Sequence, residues 1–300
     1  GKGGGLEGLG SRGGGRRRDL GVLPGWCRMG ETHLGLYWNR FDHRPVRLGQ
    51  AHAALKAAEG IKPDSGEVHM HKGLYAYNGF RDYATARAEF ELARRTLPNS
   101  SRLYLHLGAV DRRQARWDDA LRNFDRAVEL DPRNFVVVEE AALTNGGLGR
   151  YVEAGKLLER ALAISPKDYS ARITRAQLPY FEHADLGPLR QQLDAFRAEG
   201  PEARSNAAET FVAFALAERD RAAAEQALTY VPDEGVVNEV ENFLVPRDWF
   251  VGLVARSFGD NARPQTAFSP AREIGAQVPR EQPDYAPSRD IPPLAAAPSA

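Results

Sequence analysis

Two of the seven histidines, His69 and His71, form a His-x-His pair, a spacing that can bind a metal ion in some proteins. The residues around them predict a helix. Side chains two residues apart on a helix point about 200° apart around its axis, so one helix cannot direct both rings at a single metal. We therefore interpret them as ordinary surface or groove histidines and predict no metal site.

The residue patterns of common catalytic and cofactor sites do not occur in the sequence. Gly-x-Ser-x-Gly and His-Glu-x-x-His, typical of serine hydrolases and zinc peptidases, are both absent. Gly1-Lys2-Gly3 lacks the spacing of a phosphate-binding loop. Carboxylates such as Glu89 and Glu91 follow the predicted exposed faces of helices. We predict a protein that is not an enzyme and needs no cofactor.

The charge balance narrows the class of partner. Forty Lys and Arg residues offset forty Asp and Glu residues, which argues against a whole-chain binder of nucleic acid or anionic membranes. No apolar run approaches the roughly 18 residues that a membrane span needs. Cys27 is the single cysteine, so it cannot form an intramolecular disulfide, and this usage is typical of a reducing compartment. We predict a cytoplasmic protein that binds neither nucleic acid nor membrane.

One residue pattern occurs three times between residues 67 and 168, at intervals of 34 residues. Each copy has an aromatic residue, Ala, an aromatic residue or Leu, a second Ala, and Pro. The copies are Tyr83, Ala86, Phe90, Ala93 and Pro98, then Trp117, Ala120, Phe124, Ala127 and Pro132, then Tyr151, Ala154, Leu158, Ala161 and Pro166. A fixed period of this length is typical of stacked supersecondary units.

Each copy predicts a hairpin of two helices. Spacings of three, four and three residues place the first four members on one helix face. The alanines allow a neighbouring helix to approach closely, and the larger residues fill the remaining space. The proline ends the helix, because it lacks a donor and restricts the residue before it. A second helix precedes each copy, as Leu103, Leu107 and Val110 indicate.

Less regular copies flank this region. Leu48, Ala51, Leu55, Ala58 and Pro63 precede the next set by 35 residues, which places one extra residue before Tyr83. The apolar residues between His33 and Phe41 predict the partner helix of this degenerate copy. After Asp168 the pattern continues with irregular spacing, and the stretch from Pro232 to Pro246 interrupts it.

The copies resemble the tetratricopeptide repeat family. The middle copy, residues 101–134, has Leu107-Gly108 in the family's positions, although Asp111 lies where an aromatic residue is usual. The first copy has Gly73-Leu74 instead of that pair. The repeats are similar to those of bacterial signalling and regulatory proteins. The resemblance implies an all-α, right-handed superhelical solenoid of antiparallel helix hairpins, with a concave groove that binds peptides.

Composition predicts four segments. Residues 1–30 contain twelve glycines and the run Arg16-Arg17-Arg18, which favours a flexible tail. An arginine-glycine nucleic-acid tail is an alternative, but only one Arg-Gly-Gly triplet occurs and no aromatic residues interleave with it. Residues 31–261 form the repeat array. Residues 262–281 form a weak terminal helix that contains Pro264 and Pro270, and residues 282–300 form a Pro/Ala-rich disordered tail.

In the resembling family, five positions of each first helix line the concave groove. Carried onto this sequence, the groove residues are His71, Tyr75 and Asn78 in the first copy, Arg102, Leu105, Arg112 and Arg113 in the middle copy, and Glu139 and Leu143 in the third. The arginines are the only concentrated charge. Because guanidinium groups bind carboxylates in a bidentate manner, we predict a protein or peptide partner with acidic residues or a free C-terminus.

Two alternatives stay open. Arg112 and Arg113 can instead pair with Asp111, Asp118 or Asp119 on a solvated face. The chain can also be the regulatory or sensory arm of a larger signalling protein, whose cyclase, Ser/Thr kinase or winged-helix domain lies outside it. The leading interpretation is a non-enzymatic protein-protein interaction module, or scaffold, that holds a partner segment in the groove.

Overall fold

A computed structural model describes residues 23–39, 41–238 and 243–260. The chain divides into two units, residues 1–132 and 133–300. The first contains α1 (Leu23–Trp38), α2 (Val46–Ile61), α3 (Gly66–Leu74), α4 (Tyr83–Arg94), α5 (Ser101–Arg113) and α6 (Trp117–Leu130). The second contains α7 (Phe135–Gly147), α8 (Tyr151–Ile164), α9 (Tyr169–His183), α10 (Gly187–Glu199), α11 (Pro201–Asn206), α12 (Ala208–Ala217), α13 (Arg221–Leu228) and α14 (Arg247–Ser257).

The predicted hairpins are confirmed in both units. In unit 1, α1 packs on α2, α3 on α4, and α5 on α6; in unit 2, α7 packs on α8. In the three regular copies every Ala, Phe and Leu of the predicted stripe is fully buried, including Ala86, Phe90, Ala120, Phe124 and Leu158. Alternation of small and large residues therefore fills each hairpin core.

Side-chain caps begin several of these helices. The Ser65 hydroxyl accepts a hydrogen bond from the Val68 backbone N–H, and the Ser100 hydroxyl accepts one from the Leu103 N–H. Asp82 caps α4 in the same way through the Thr85 N–H. Each cap satisfies one of the donors that a helix start leaves without an intrahelical partner.

A π-helical turn, Tyr75–Gly79, continues α3 and explains the extra residue of the 35-residue step. Gly73 lies against the ring of Phe90, as Gly108 lies against that of Phe124. The two glycines are 35 residues apart and the two phenylalanines 34, so the extra residue lies between Gly73 and Phe90. A π-helical turn takes up one residue by widening the helix, so the hairpin core keeps its register.

The first helix begins earlier than the sequence predicts. Helix α1 starts at Leu23, so residues 23–30 of the predicted tail are helical, and Phe41 lies beyond its end and is 81% exposed. Cys27 packs against Leu55, Ala58 and Val68. The apolar residues at this end of α1 lie among glycines, and this hid their helical spacing. Residues 1–22 lie outside the described residues.

The interruption predicted between Pro232 and Pro246 contains two short strands, β1 (Val236–Asn238) and β2 (Phe243–Val245). They are antiparallel, with Val236 opposite Val245. Gly235 precedes them with a φ of +97°, a conformation that favours glycine. This strand pair departs locally from the all-α prediction. The predicted terminal helix 262–281 and the tail 282–300 lie outside the described residues.

A glycine substitution tests the packing inside the second hairpin of unit 1. A Cβ added at Gly73 would lie 2.4 Å from Phe90, whereas one added at Gly49, on α2, meets nothing within 4 Å. We expect Gly73→Ala to lower the free energy of unfolding by about 1–3 kcal/mol through overpacking. Gly49→Ala should be neutral or raise it by up to about 1 kcal/mol. Chemical denaturation of both variants measures the difference, and equal stabilities would contradict the packing described.

Candidate functional site: the first-helix face of unit 1

Helix α5 presents most of the predicted groove residues of unit 1. Leu105 and Ala109 lie in the middle of the helix and are partly exposed. Arg102 lies one turn before Leu105, and Arg112 lies one turn after Ala109. Spacings of three and four residues place these four side chains along one face of the helix. We call this surface, with its counterpart on α3, the first-helix face.

The π-helical turn changes which residues of α3 belong to that face. Before the turn, each residue of α3 is equivalent to the residue 35 positions later, so Met70 and Leu74 correspond to Leu105 and Ala109. Unlike those two residues, Met70 and Leu74 are buried. Counting 34 instead places His71 and Tyr75 there, and that equivalence is wrong by one residue. One residue is about 100° of helix rotation, which turns both side chains away from the first-helix face.

His71 lies in the protein interior against α1. Its side chain is fully buried, and neither Nδ1 nor Nε2 has a hydrogen-bond partner within the described residues. A Cβ added at Gly30 would lie 1.9 Å from His71 Cε1, so only glycine leaves room for the ring. Burial, followed by the nearby Arg102 guanidinium, lowers the pKa of His71 to about 4. The ring is therefore neutral near pH 7, and the surface or groove histidine predicted at this position is a core residue.

The other histidine of the pair has a different environment. His69 Nδ1 lies 2.7 Å from Glu89 Oε2 on α4, and His71 faces α1. Among the residues that the structure describes, no three His, Cys, Asp or Glu side chains come together as a potential metal site. His106, equivalent to His71 in the next repeat, stacks on Phe90 at 5.8 Å, and burial lowers its pKa to about 3.

Arg102 forms an ion pair that crosses from α5 to α1. Its Nη1 lies 2.7 Å from Glu31 Oε2, and the arginine side chain remains 49% exposed. The pair lies at the rim of the first-helix face. The Glu31 carboxylate is therefore already paired with the Arg102 guanidinium, which the sequence predicts to bind a ligand.

Arg112 and Arg113 contact the hairpin core. The Arg112 guanidinium lies over the Phe124 ring at 5.5 Å, and Arg113 hydrogen-bonds to the buried Tyr77 hydroxyl. Both are partly buried, so they form a less open basic patch than the sequence alone indicates. The alternative interpretation was that these two arginines pair with Asp111. Asp111 instead makes its main contacts with other residues.

Asp111 is the fully buried centre of a polar cluster between α4 and α6. Its Oδ1 accepts hydrogen bonds from Arg87 Nε at 2.7 Å and from Arg116 Nε at 3.0 Å, and its Oδ2 accepts one from Asn123 Nδ2 at 2.9 Å. Two guanidinium groups and an amide compensate the cost of burying the carboxylate. The feature of the sequence that could have revealed this cluster is Asp111 itself, an aspartate at a position where the family has an aromatic residue.

The remaining predicted residues lie elsewhere. Asn78 is in the π-helical turn and is partly exposed. Glu139 and Leu143 are on α7 of unit 2, and both are partly buried. Within the described part of the chain, no helix combines the length and apolar character that crossing a bilayer requires.

The comparisons with known proteins concern the fold. No protein-family model and no curated protein sequence matches the chain. Pseudomonas aeruginosa PilF matches with a TM-score of 0.52 and 20% identity, over 72% of this chain and 91% of PilF. The human IFIT1 dimer with PPP-AAAA matches with a TM-score of 0.57 and 16% identity, over 87% of this chain and 66% of IFIT1. YrrB, described as a tetratricopeptide repeat protein with an unusual peptide-binding site, has a TM-score of 0.45 and 16% identity, over 72% of this chain and 96% of YrrB.

The chain has the tetratricopeptide repeat fold. At these identities the likeness shows the architecture and not a partner. The tetratricopeptide repeat hairpins of unit 1 explain why α3 and α5 share a first-helix face: each is the first helix of its repeat, and α4 and α6 are the second helices.

The buried His71 predicts a loss of stability in mild acid. Its pKa in the folded state, about 4, is below the ordinary value of 6.5, so the unfolded chain binds the proton more readily. The contribution of His71 to stability should fall as the pH drops from about 6.5 toward 4, by about 2 kcal/mol at pH 5 relative to pH 8, and His106 should add a further loss in the same range. Denaturant unfolding from pH 8 to pH 5 measures this loss. His71→Met should reduce it, and the same substitution at the exposed His52 should not; an unchanged pH profile in His71→Met would contradict the assignment.

The Asp111 cluster predicts a second effect on stability. Asp111→Ala leaves two arginines and an amide without their shared acceptor, so the free energy of unfolding should fall by about 3–5 kcal/mol. Asp119 is 36% exposed and pairs with Arg122 on the same helix. Asp119→Ala should cost about 0–1 kcal/mol. Equal losses in the two variants, measured by denaturant unfolding, would show that the cluster is not a stabilising centre.

Proposed function

We propose that this protein is a non-enzymatic interaction module in which the first-helix face of unit 1 binds a segment of a protein partner. The observation that carries the proposal is the arrangement on α5. Leu105 and Ala109 leave apolar surface partly exposed between Arg102 and Arg112. Apolar contacts in the centre and charged groups at the ends are the usual composition of a peptide-binding surface.

The charge of this face indicates the chemistry of the partner. Glu31 shows that a carboxylate fits against Arg102, with 2.7 Å between nitrogen and oxygen. Arg102 contacts Glu31 through Nη1 and remains 49% exposed, so a carboxylate of the partner can bind its other N–H donors beside Glu31. The partner segment is therefore a peptide with acidic residues or a free C-terminal carboxylate, with an apolar side chain over Leu105.

The same residues explain why the function is binding and not catalysis. Arginine, leucine and alanine supply charge and apolar contact, but they do not transfer protons near neutral pH. Burial raises the pKa of the Cys27 thiol to about 11, so this cysteine is protonated and a poor nucleophile. A cytoplasmic location is part of the proposal, because a single buried thiol suits a reducing compartment. Within unit 2, Glu139 and Leu143 on α7 are proposed contact residues of that unit's own surface.

A peptide array tests the function. The full chain is applied to ten-residue peptides whose acidic residues vary in number and whose C-terminus is either free or amidated. Binding should require a carboxylate near an apolar residue and should weaken about tenfold or more in Arg102→Gln, which loses a charge-assisted contact. Leu105→Ser should weaken binding without changing its salt dependence.

The matched control is Arg126→Gln. Arg126 lies on α6, is 43% exposed and pairs with Glu129, so it matches Arg102 in exposure and in its pairing with a glutamate. Its substitution should leave peptide affinity unchanged. If Arg126→Gln and Arg102→Gln weaken binding equally, or if amidated neutral peptides bind as well as acidic ones, the proposed face is wrong.

A further inference from the structure

A cleft of about 260 Å³ lies on the other side of α3, between α2 and α4. Its walls come from three helices and from the turn that follows α3. They are formed by Leu55, Lys72, Tyr75, Ala76, Phe80, Asp82, Thr85 and Glu89. One side of α3 and of the turn after it carries Lys72, Tyr75 and Ala76, roughly opposite to Met70 and Leu74. The cleft is therefore separate from the first-helix face, and a ligand can bind in it whether or not that face binds a peptide.

The repeat irregularities of this region account for the open space. Leu55 is the counterpart of Phe90 and Phe124, and it is smaller than either. The π-helical turn directs Tyr75 toward α2, where its ring lies 5.5 Å from that of His52. Phe80 follows the turn, meets Tyr75 edge-on at 5.1 Å and remains 53% exposed. The result is an opening with two aromatic rings on one side.

Carboxylates dominate the charge of the cleft. Lys72 pairs with Glu59 on α2, with 3.0 Å between Nζ and Oε1, and Glu59 also pairs with Lys56. Asp82 accepts hydrogen bonds from Thr85, including its N–H at 3.0 Å, and from the Ala84 N–H. Glu89 Oε2 lies 2.7 Å from His69. The bonds with Thr85 lower the pKa of Asp82, which keeps it ionised. A cationic guest matches this charge.

The next junction of the same unit is closed by arginines of the protein itself, on an aspartate whose equivalent at the α2–α4 junction is Tyr77. Between α4 and α6, the guanidinium groups of Arg87 and Arg116 lie on the Asp111 carboxylate. The residues of the α2–α4 junction equivalent to these two arginines are His52 and Asp82. Where the second junction supplies its own arginines, the first supplies a histidine and a carboxylate and stays open.

We propose that this cleft is a second binding site, which takes the side chain of an arginine from a protein partner. The aliphatic stem lies against Tyr75 and Phe80, and the guanidinium reaches Asp82 and Glu89. Aromatic faces and carboxylates are both suited to a guanidinium, which stacks on rings and donates paired hydrogen bonds. The site thus has the opposite charge preference to the first-helix face.

The probe for this site is a five-residue peptide, blocked at both ends, with one arginine among alanines. It is titrated into the full chain labelled with ¹³C at alanine, leucine and threonine methyl groups. The methyl resonances of Leu55, Ala76 and Thr85 should shift in a saturable manner. A peptide with citrulline in place of arginine has nearly the same shape but no charge, and it should bind about tenfold more weakly or worse.

Two variants and one control complete the test. Glu89→Gln keeps a hydrogen-bonding group for His69 but removes the charge, and Phe80→Ala removes the exposed ring; each should weaken binding several-fold. Glu129→Gln changes an exposed glutamate on α6 outside the cleft and should have no effect. Unchanged methyl spectra away from the substituted residue show that each variant is folded.

The alternative results are distinct from one another. Absence of shifts at Leu55, Ala76 and Thr85, equal affinity for citrulline, or unchanged affinity in Glu89→Gln would each overturn the arginine site. Shifts confined to Leu105 and Ala109 would place the peptide on the first-helix face and would also overturn it. Failure of acidic peptides to bind the first-helix face would leave these measurements unaffected, so the two proposals fail independently.

Discussion

The contact between a helical glycine and a phenylalanine ring sets the geometry of the central repeats. Gly73 against Phe90 and Gly108 against Phe124 bring the two helices of each hairpin so close that a single added carbon would overlap the ring. Close packing of this kind cannot slide by a residue without losing the whole core contact. An inserted residue must therefore be absorbed outside the contact, and in α3 it is absorbed just after Gly73, in the π-helical turn.

That turn has consequences on every side of α3. It leaves His71 enclosed against Gly30 of α1, and it directs Tyr75 toward α2 and away from the first-helix face. The same rotation opens the cleft beside Phe80. One extra residue thus moves His71 and Tyr75 out of the predicted groove. His71 becomes a buried residue on one side of α3, and Tyr75 lines an aromatic opening on the other. The chemistry of this repeat differs from that of its neighbour although the hairpin cores are nearly the same.

Side-chain periodicity was enough to predict the hairpins, because burial depends on size and spacing that repeat along the chain. Ala86, Phe90 and their counterparts could be placed without coordinates. The site could not be placed as well, because counting located the insertion only between Pro63 and Tyr83. A shift of one residue matters little for a loop but rotates a helix face by about 100°. The start of α1 was missed for another reason: its apolar residues depend on Leu55 and Val68, which are distant in sequence.

The irregular repeats of a repeat protein hold the residues that make its chemistry distinctive. A junction whose charged groups are paired within the protein is closed, as Asp111 is by Arg87 and Arg116. Satisfied groups of this kind stabilise the stack but offer nothing to a partner, since any new contact must first break an internal one. At the α2–α4 junction the corresponding positions hold His52 and Asp82, so carboxylate and ring surface remain accessible. In unit 1, binding surface therefore differs from scaffold in whether its charged groups are already paired within the protein.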